Sequence, residues 1–204
     1  MSTRPPVTLV FDLDGTLCET APDLHAAVND MLCDAGRSPI TLAQCKNFIG
    51  DGMLKLAERA FEATGVLPPT DEFIQRHAAF VAAYNDACCV DTHTYSGVHE
   101  TLQALRDKGY LCCVATNKPQ APADTIIDGL ELRTFFGDGA VVGGDALAVK
   151  KPDPEHLAAA VRRVGGDAAR AIMVGDGHND VLVGRRAPRR ADGRTTTESL
   201  PLAT

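Results

Sequence analysis

The chain has 204 residues, 45% of them hydrophobic, enough to bury a real core as one large domain or as a core domain carrying a smaller insertion. Its net charge of −7 excludes a surface that tracks a phosphate backbone or an anionic bilayer, because either needs clustered Lys and Arg. Nucleic-acid and membrane partners are therefore not expected.

The opening "MSTRPP" is followed by an apolar run far shorter than a signal-peptide core or a membrane span, so a cytoplasmic location is expected. That run belongs to "VTLVFDLDGT", residues 7–16, a strand suited to burial that ends on Asp12 and Asp14, followed by Gly15 and Thr16. Thr20 and Asp23 have the spacing of a capping box, and Gly36 closes the helix they would start. Apolar positions then recur at helical spacing: Leu24, Val28, Met31, Leu32 and Ala35; Leu54, Leu56, Ala57 and Phe61; Phe73, Phe80, Val81 and Tyr84. Gly65, Pro68 and Pro69 separate the last two groups. No strand is expected in this interval, which is too long for a βα loop and reads as a helical insertion.

Beyond it, short apolar runs at 110–115, 140–143 and 171–174 alternate with helical patterns near 97–108, 119–130 and 154–164. Such alternation builds βαβ units and a parallel sheet. The expected fold is thus a doubly wound, Rossmann-like α/β core of residues 1–17 and 97–187, a helical cap of residues 18–96, and an atypical tail of residues 188–204. Seven Cys without a C-x-x-C pair fit neither a disulfide framework nor a zinc site, and most of them are expected as small buried hydrophobes.

In open α/β sheets, reacting groups gather at the carboxyl ends of the strands. Asp12 and Asp14 follow the first strand, Thr116 and Asn117 the second, Lys151 precedes a helix start, and Asp176, Asn179 and Asp180 follow the last strand. "DLDGT", "TN", "KPDP" and "GDGHND", in this order, resemble the four motifs of the haloacid-dehalogenase-type phosphohydrolases. Within the insertion, "ETAPDLHAAVN" and "IGDGMLKLAERA" resemble the phosphoglycolate phosphatases of that superfamily, whose helical cap lies between the first and second motifs.

The chemistry of these residues accounts for the pattern. A carboxylate can attack a phosphoryl group and form an aspartyl phosphate, which makes Asp12 the candidate nucleophile. Asp14 could protonate the leaving oxygen and then activate the water that hydrolyses the intermediate. Thr116, Asn117 and Lys151 supply donors for the phosphoryl oxygens, and Gly15 lets the backbone approach them. Carboxylates beside a phosphate dianion call for a hard cation, and Mg²⁺ is the expected cofactor. The resemblance implies Asp12, the Asp14 backbone carbonyl and Asp176 as its ligands, with Asp180 supporting the site or orienting Lys151.

The implied activity is hydrolysis of a small phosphorylated metabolite, with 2-phosphoglycolate the best single substrate, by a monomer or homodimer. Its alternatives are a sugar-phosphate phosphatase, a phosphohexose mutase, or a binding protein on the same scaffold that has lost turnover. Lys55 and Arg59, and the N–H groups after Gly52, are candidate cap contacts to substrate. Asp153 reads as an N-cap ahead of Pro154, and His178 as an exposed loop histidine. The chain departs from the resemblance after "NDVLVG": residues 185–204 carry five Arg against one Asp and one Glu, and lack the further apolar strand of the family. A change of reading frame near residue 184 would produce such a shift, and residues 188–204 are expected to be disordered.

Overall fold

The computed structural model describes residues 6–186. In chain order its elements are β1 (Thr8–Phe11), β2 (Cys18–Glu19), α1 (Ala21–Asp34), α2 (Leu42–Phe48), α3 (Met53–Thr64), α4 (Thr70–Asp86) and β3 (His93–Thr94). There follow α5 (Val98–Asp107), β4 (Leu111–Ala115), α6 (Gln120–Gly129), α7 (Arg133–Phe136), β5 (Val141–Val142), α8 (Pro154–Arg163), β6 (Ala171–Val174) and α9 (His178–Arg186). The expectations for residues 188–204 lie outside the described residues.

The four strands foreseen from apolar runs form one parallel sheet in the order β5-β4-β1-β6. Every residue of β1 is buried, as a central parallel strand covered on both faces requires. It pairs Thr8 with Leu111 and Phe11 with Val114 on one side, and Thr8 with Ala171 and Phe11 with Val174 on the other. The chain crosses from β1 to β4 and β5 on one flank before returning to β6 on the other, so the strand order reverses at β1. That reversal opens a crevice at the carboxyl ends of β1, β4 and β6. Among the described residues the sheet ends at β6. No helix of the described residues is long and apolar enough to cross a membrane.

The interval between β1 and β4 carries α1, α3 and α4 where helical spacing places them, but it also holds a further helix, α2, and two strands that were not expected. β2 and β3 pair antiparallel, Cys18 with Thr94 and Glu19 with His93, and bring together the two ends of the helical segment. Two-residue strands are too short to show an alternation. α1 packs mainly on α4 and α2, burying Leu24, Val28, Met31 and Leu32. Leu54, counted among the apolar positions, is instead 49% exposed on α3. At the end of α1, Gly36 adopts φ +67° and the Arg37 N–H reaches the Leu32 carbonyl at 2.8 Å, closing the helix as expected.

The capping box at Thr20 and Asp23 does not form. Thr20 flanks α1 without any side-chain cap bond. Asp23, buried at 5% exposure, accepts from the backbone N–H groups of Val90, Asp91 and Thr92 at 2.9–3.0 Å and from the Thr92 hydroxyl at 2.7 Å. Its carboxylate therefore staples the start of the helical segment to the strand that leaves it. Burial alone would raise its pKa, yet these bonds hold it below the usual carboxylate range. Asp23→Ala strands three N–H donors and is expected to destabilise the protein by about 3 kcal/mol. Since the folded pKa is depressed, this contribution is present above the unfolded carboxyl value of about 4 and is lost as pH falls through the folded one. Urea denaturation of parent and variant checks it, and a loss below about 1 kcal/mol at neutral pH would mean that water replaces the carboxylate.

Candidate active site

The sheet carries its hydrogen bonding one residue past the strands and so aims the polar residues. The Asp12 N–H donates to Val174 O at 2.9 Å, and the Thr116 N–H to Val142 O at 3.0 Å. After Asp12 the backbone turns tightly, with the N–H groups of Thr16, Leu17 and Cys18 all pointing at the Leu13 carbonyl. Gly15 sits in this turn at φ +78°, and a Cβ there would lie 2.3 Å from Asp176 Oδ2. No other residue fits between the first and last motifs without moving that carboxylate.

Asp12 Oδ1 accepts from its neighbour Leu13 N–H at 2.8 Å and from Lys151 Nζ at 2.8 Å. Lys151, 2% exposed, also donates to Asp180 Oδ1 at 2.7 Å. The second oxygen of Asp180 accepts from Gly177 N–H at 2.9 Å, so both of its oxygens are engaged. Burial opposes the Lys151 charge, but Asp12 and Asp180 outweigh it and its pKa is raised. Burial pushes Asp12 up to about 6, with Lys151 opposing and Asp180 and Asp14 adding repulsion. Asp176 is also raised, chiefly by burial, against the Thr16 hydroxyl that donates to its Oδ1 at 2.8 Å.

Asp12, Asp176 and Asp180 each place a carboxylate oxygen within 4.8 Å of the others. Such an all-oxygen, carboxylate-rich set carries more negative charge than Lys151 balances, and it fits a small hard dication such as Mg²⁺.

Thr116 is buried at the end of β4. Asn117 follows, but its side-chain amide donates to Gly50 O at 3.0 Å and Lys151 O at 3.1 Å rather than standing free for a phosphoryl oxygen. Its carboxamide oxygen is buried with no partner among the described residues. The Gly50 contact belongs to a set that seats the loop between α2 and α3 on the core. Asn179 donates to Gly50 O at 3.2 Å and to Asp51 Oδ1 at 2.9 Å, and Lys150 to Asp51 O at 2.8 Å. Under this loop lies a cavity of about 210 Å³ whose walls include Asp12, Asp14, Thr116 and Asp176 from the core and Lys46, Ile49 and Met53 from the helical segment.

The two cations expected at this cavity are elsewhere. Lys55 pairs with Glu58 on the exposed face of α3, and Arg59 holds Asp51 and donates to Phe48 O at 2.9 Å. Lys46 of α2, paired with Glu19, lines the cavity in their place. Lys118, next to Asn117, was also not singled out, and its Nζ lies 3.0 Å from Asp14 Oδ1. A lysine one position beyond a motif reads as an exposed residue unless its partner is known. Asp153 caps α8 as expected, accepting from Glu155 N–H at 2.9 Å, and His178 is exposed at the start of α9.

The sequence pattern of the haloacid dehalogenase-like hydrolases matches residues 7–188. A phosphoglycolate phosphatase of Agrobacterium fabrum is 35% identical over 188 residues, spanning 92% of this chain and 80% of that protein. Phosphoglycolate phosphatase 1 of Pseudomonas aeruginosa is 36% identical over 198 residues, spanning 95% and 71%. Among solved structures, a predicted phosphoglycolate phosphatase of Haemophilus somnus superposes with a TM-score of 0.81 at 28% identity, over 91% of this chain and 84% of that one. A putative β-phosphoglucomutase of Thermotoga maritima, at 23% identity and a TM-score of 0.62, shares the fold.

Proposed function

The chain belongs to the haloacid dehalogenase-like hydrolases, and on that premise we propose that it is a Mg²⁺-dependent phosphatase that hydrolyses 2-phosphoglycolate through a phosphoaspartate on Asp12. The observation that carries this reading is the carboxylate of Asp12 at the carboxyl end of β1, held by the buried Lys151 and facing a small cavity with Asp14 beside it. The names of the relatives, spanning most of this chain, support phosphoglycolate as the substrate.

In the first half-reaction an Asp12 oxygen bonds to phosphorus as the bond to the leaving oxygen breaks, and Asp14 gives that oxygen its proton. In the second, Asp14 takes a proton from water, the water oxygen bonds to phosphorus, and the bond to Asp12 breaks to release phosphate. Lys151 and the Thr116 hydroxyl face the phosphoryl oxygens and balance their charge. Asp180 keeps Lys151 turned toward Asp12. Asp12, the Asp14 carbonyl and Asp176 would hold Mg²⁺, which would supply the positive charge that lets a phosphate dianion approach the carboxylates.

The helices α1 to α4 act as a cap that shuts water out, and the contacts of Gly50 and Asp51 with Asn117, Lys150 and Asn179 hold it down. A cavity of about 210 Å³ suits a small acid, and Lys46 provides a cation for its carboxylate. All seven Cys are free, and burial pushes the Cys18 and Cys45 thiols up to about 12, far from thiolates that would exchange readily. Those two inert thiols suit the reducing cytoplasm.

Phosphate release from a panel of small phosphomonoesters tests the assignment. The expected kcat/KM is at least about tenfold higher for 2-phosphoglycolate than for hexose or glycerol phosphates, the scale of one extra charged contact. A higher value for a hexose phosphate, or an isomerised bisphosphate as product, would overturn it.

A further inference from the structure

Lys118 is almost cut off from water, its side chain 2% exposed. Its Nζ lies 3.0 Å from Asp14 Oδ1 and donates to the Tyr84 hydroxyl at 2.7 Å, with the ammonium 4.8 Å from the centre of the Tyr84 ring. Tyr84 is fully buried on α4. A second donor, the Thr20 hydroxyl, reaches the same Asp14 oxygen at 2.7 Å. Both interactions fall on Oδ1, and Oδ2 receives no hydrogen bond from the described residues. Removing an ammonium from water costs several kcal/mol, and an apolar side chain of the same length would fill the site without that penalty. Lys118 is therefore poorly explained as packing alone.

We propose that Lys118 is a positioning residue for the acid–base step. It fixes Asp14 by Oδ1 so that Oδ2 carries the proton to and from the reacting phosphoryl group, and its bond to Tyr84 makes this placement depend on α4 being seated against the core. The proposal rests on the reading of Asp14 as the acid and base. Loosening Asp14 slows both half-reactions for an alkyl phosphate, whose leaving oxygen needs a proton. An aryl phosphate expels a stable phenolate without one, so only its second half-reaction is slowed.

The test compares Lys118→Met with the parent on 2-phosphoglycolate and on p-nitrophenyl phosphate. With 2-phosphoglycolate kcat is expected to fall about 100-fold, the scale of a lost proton transfer, with KM within about threefold, below one lost hydrogen bond. With p-nitrophenyl phosphate the variant should give a burst of one nitrophenol per enzyme and then slow turnover, which also shows that it is folded and that Asp12 still attacks. Tyr84→Phe should give a smaller loss of the same kind. Asp14→Asn is the control: turnover of both substrates at the parent rate would defeat the reading of Asp14 itself. With that control intact, unchanged kcat in Lys118→Met would overturn the proposal, as would a raised KM with kcat retained, the mark of a substrate contact. Equal losses on both substrates without a burst, in Lys118→Met and in the milder Lys118→Gln, would also overturn it by showing a purely structural role.

Discussion

Asp12→Asn is expected to lose turnover by roughly 10⁴-fold or more, the scale on which removal of a covalent nucleophile acts, while keeping a denaturation midpoint close to the parent. The carboxamide has the shape of the carboxylate, and its oxygen can still accept from Leu13 N–H and Lys151 Nζ, the two donors that hold Asp12 in place. Lys151 also retains Asp180, so no buried ammonium is left alone. What is lost is the charge and the lone pair that attack phosphorus. Steady-state kinetics and a urea titration of the same preparation check both halves. Turnover within about tenfold of the parent, little more than a repositioned contact would cost, would remove Asp12 from the mechanism.

Chelation of divalent cations should be nearly as damaging. Asp12, Asp14, Asp176 and Asp180 crowd the site, and Lys151 and Lys118 are the buried cations set against them. A phosphate dianion entering that field is repelled unless a dication is present. Turnover is expected to fall by about 10³-fold or more in chelator, to return with Mg²⁺, and to be inhibited by excess Ca²⁺, whose larger and looser coordination misplaces the phosphoryl group. Phosphate release followed while Mg²⁺ is titrated back supplies the measurement. Full activity in chelator would mean that the carboxylates are balanced by protons or by the lysines.

The parallel sheet was legible in the sequence because its strands are continuous apolar runs ending on polar residues. β1, β4 and β6 lie within a residue of the expected runs, and Asp12, Thr116 and Asp176 meet at their ends. The helices α6 and α8 were equally readable, since each lies between two such strands, and so was α5, which leads directly into β4. α2 was not, although Thr41 and Gln44 form the capping box that Thr20 and Asp23 do not. Its seven residues bury Cys45 alone, so no apolar stripe marks it. Missing that helix concealed Lys46 and directed attention to Lys55 and Arg59, which α3 turns to other partners.

Thr20 shows the same limit from another side. Its spacing to Asp23 matches a cap, but a hydroxyl bonds whatever acceptor the tertiary fold brings, and here that acceptor is Asp14. Asn117 spends its amide on two carbonyls, one from the segment that closes over it, and a single strand-end motif contains no sign of that segment. Lys118 and Tyr84 lie 34 residues apart in the chain and meet through the docking of α4, a relation that helical periodicity does not encode.

Rapid acid quench during turnover of 2-phosphoglycolate, followed by peptide mass spectrometry, tests the central claim most directly. Expected is a phosphorylated protein whose phosphate maps to Asp12 and is present while substrate lasts, and which accumulates in Asp14→Asn when p-nitrophenyl phosphate, whose leaving group needs no proton, replaces 2-phosphoglycolate. Sustained phosphate release with no covalently bound phosphate in either protein, or with the phosphate on another residue, would contradict it.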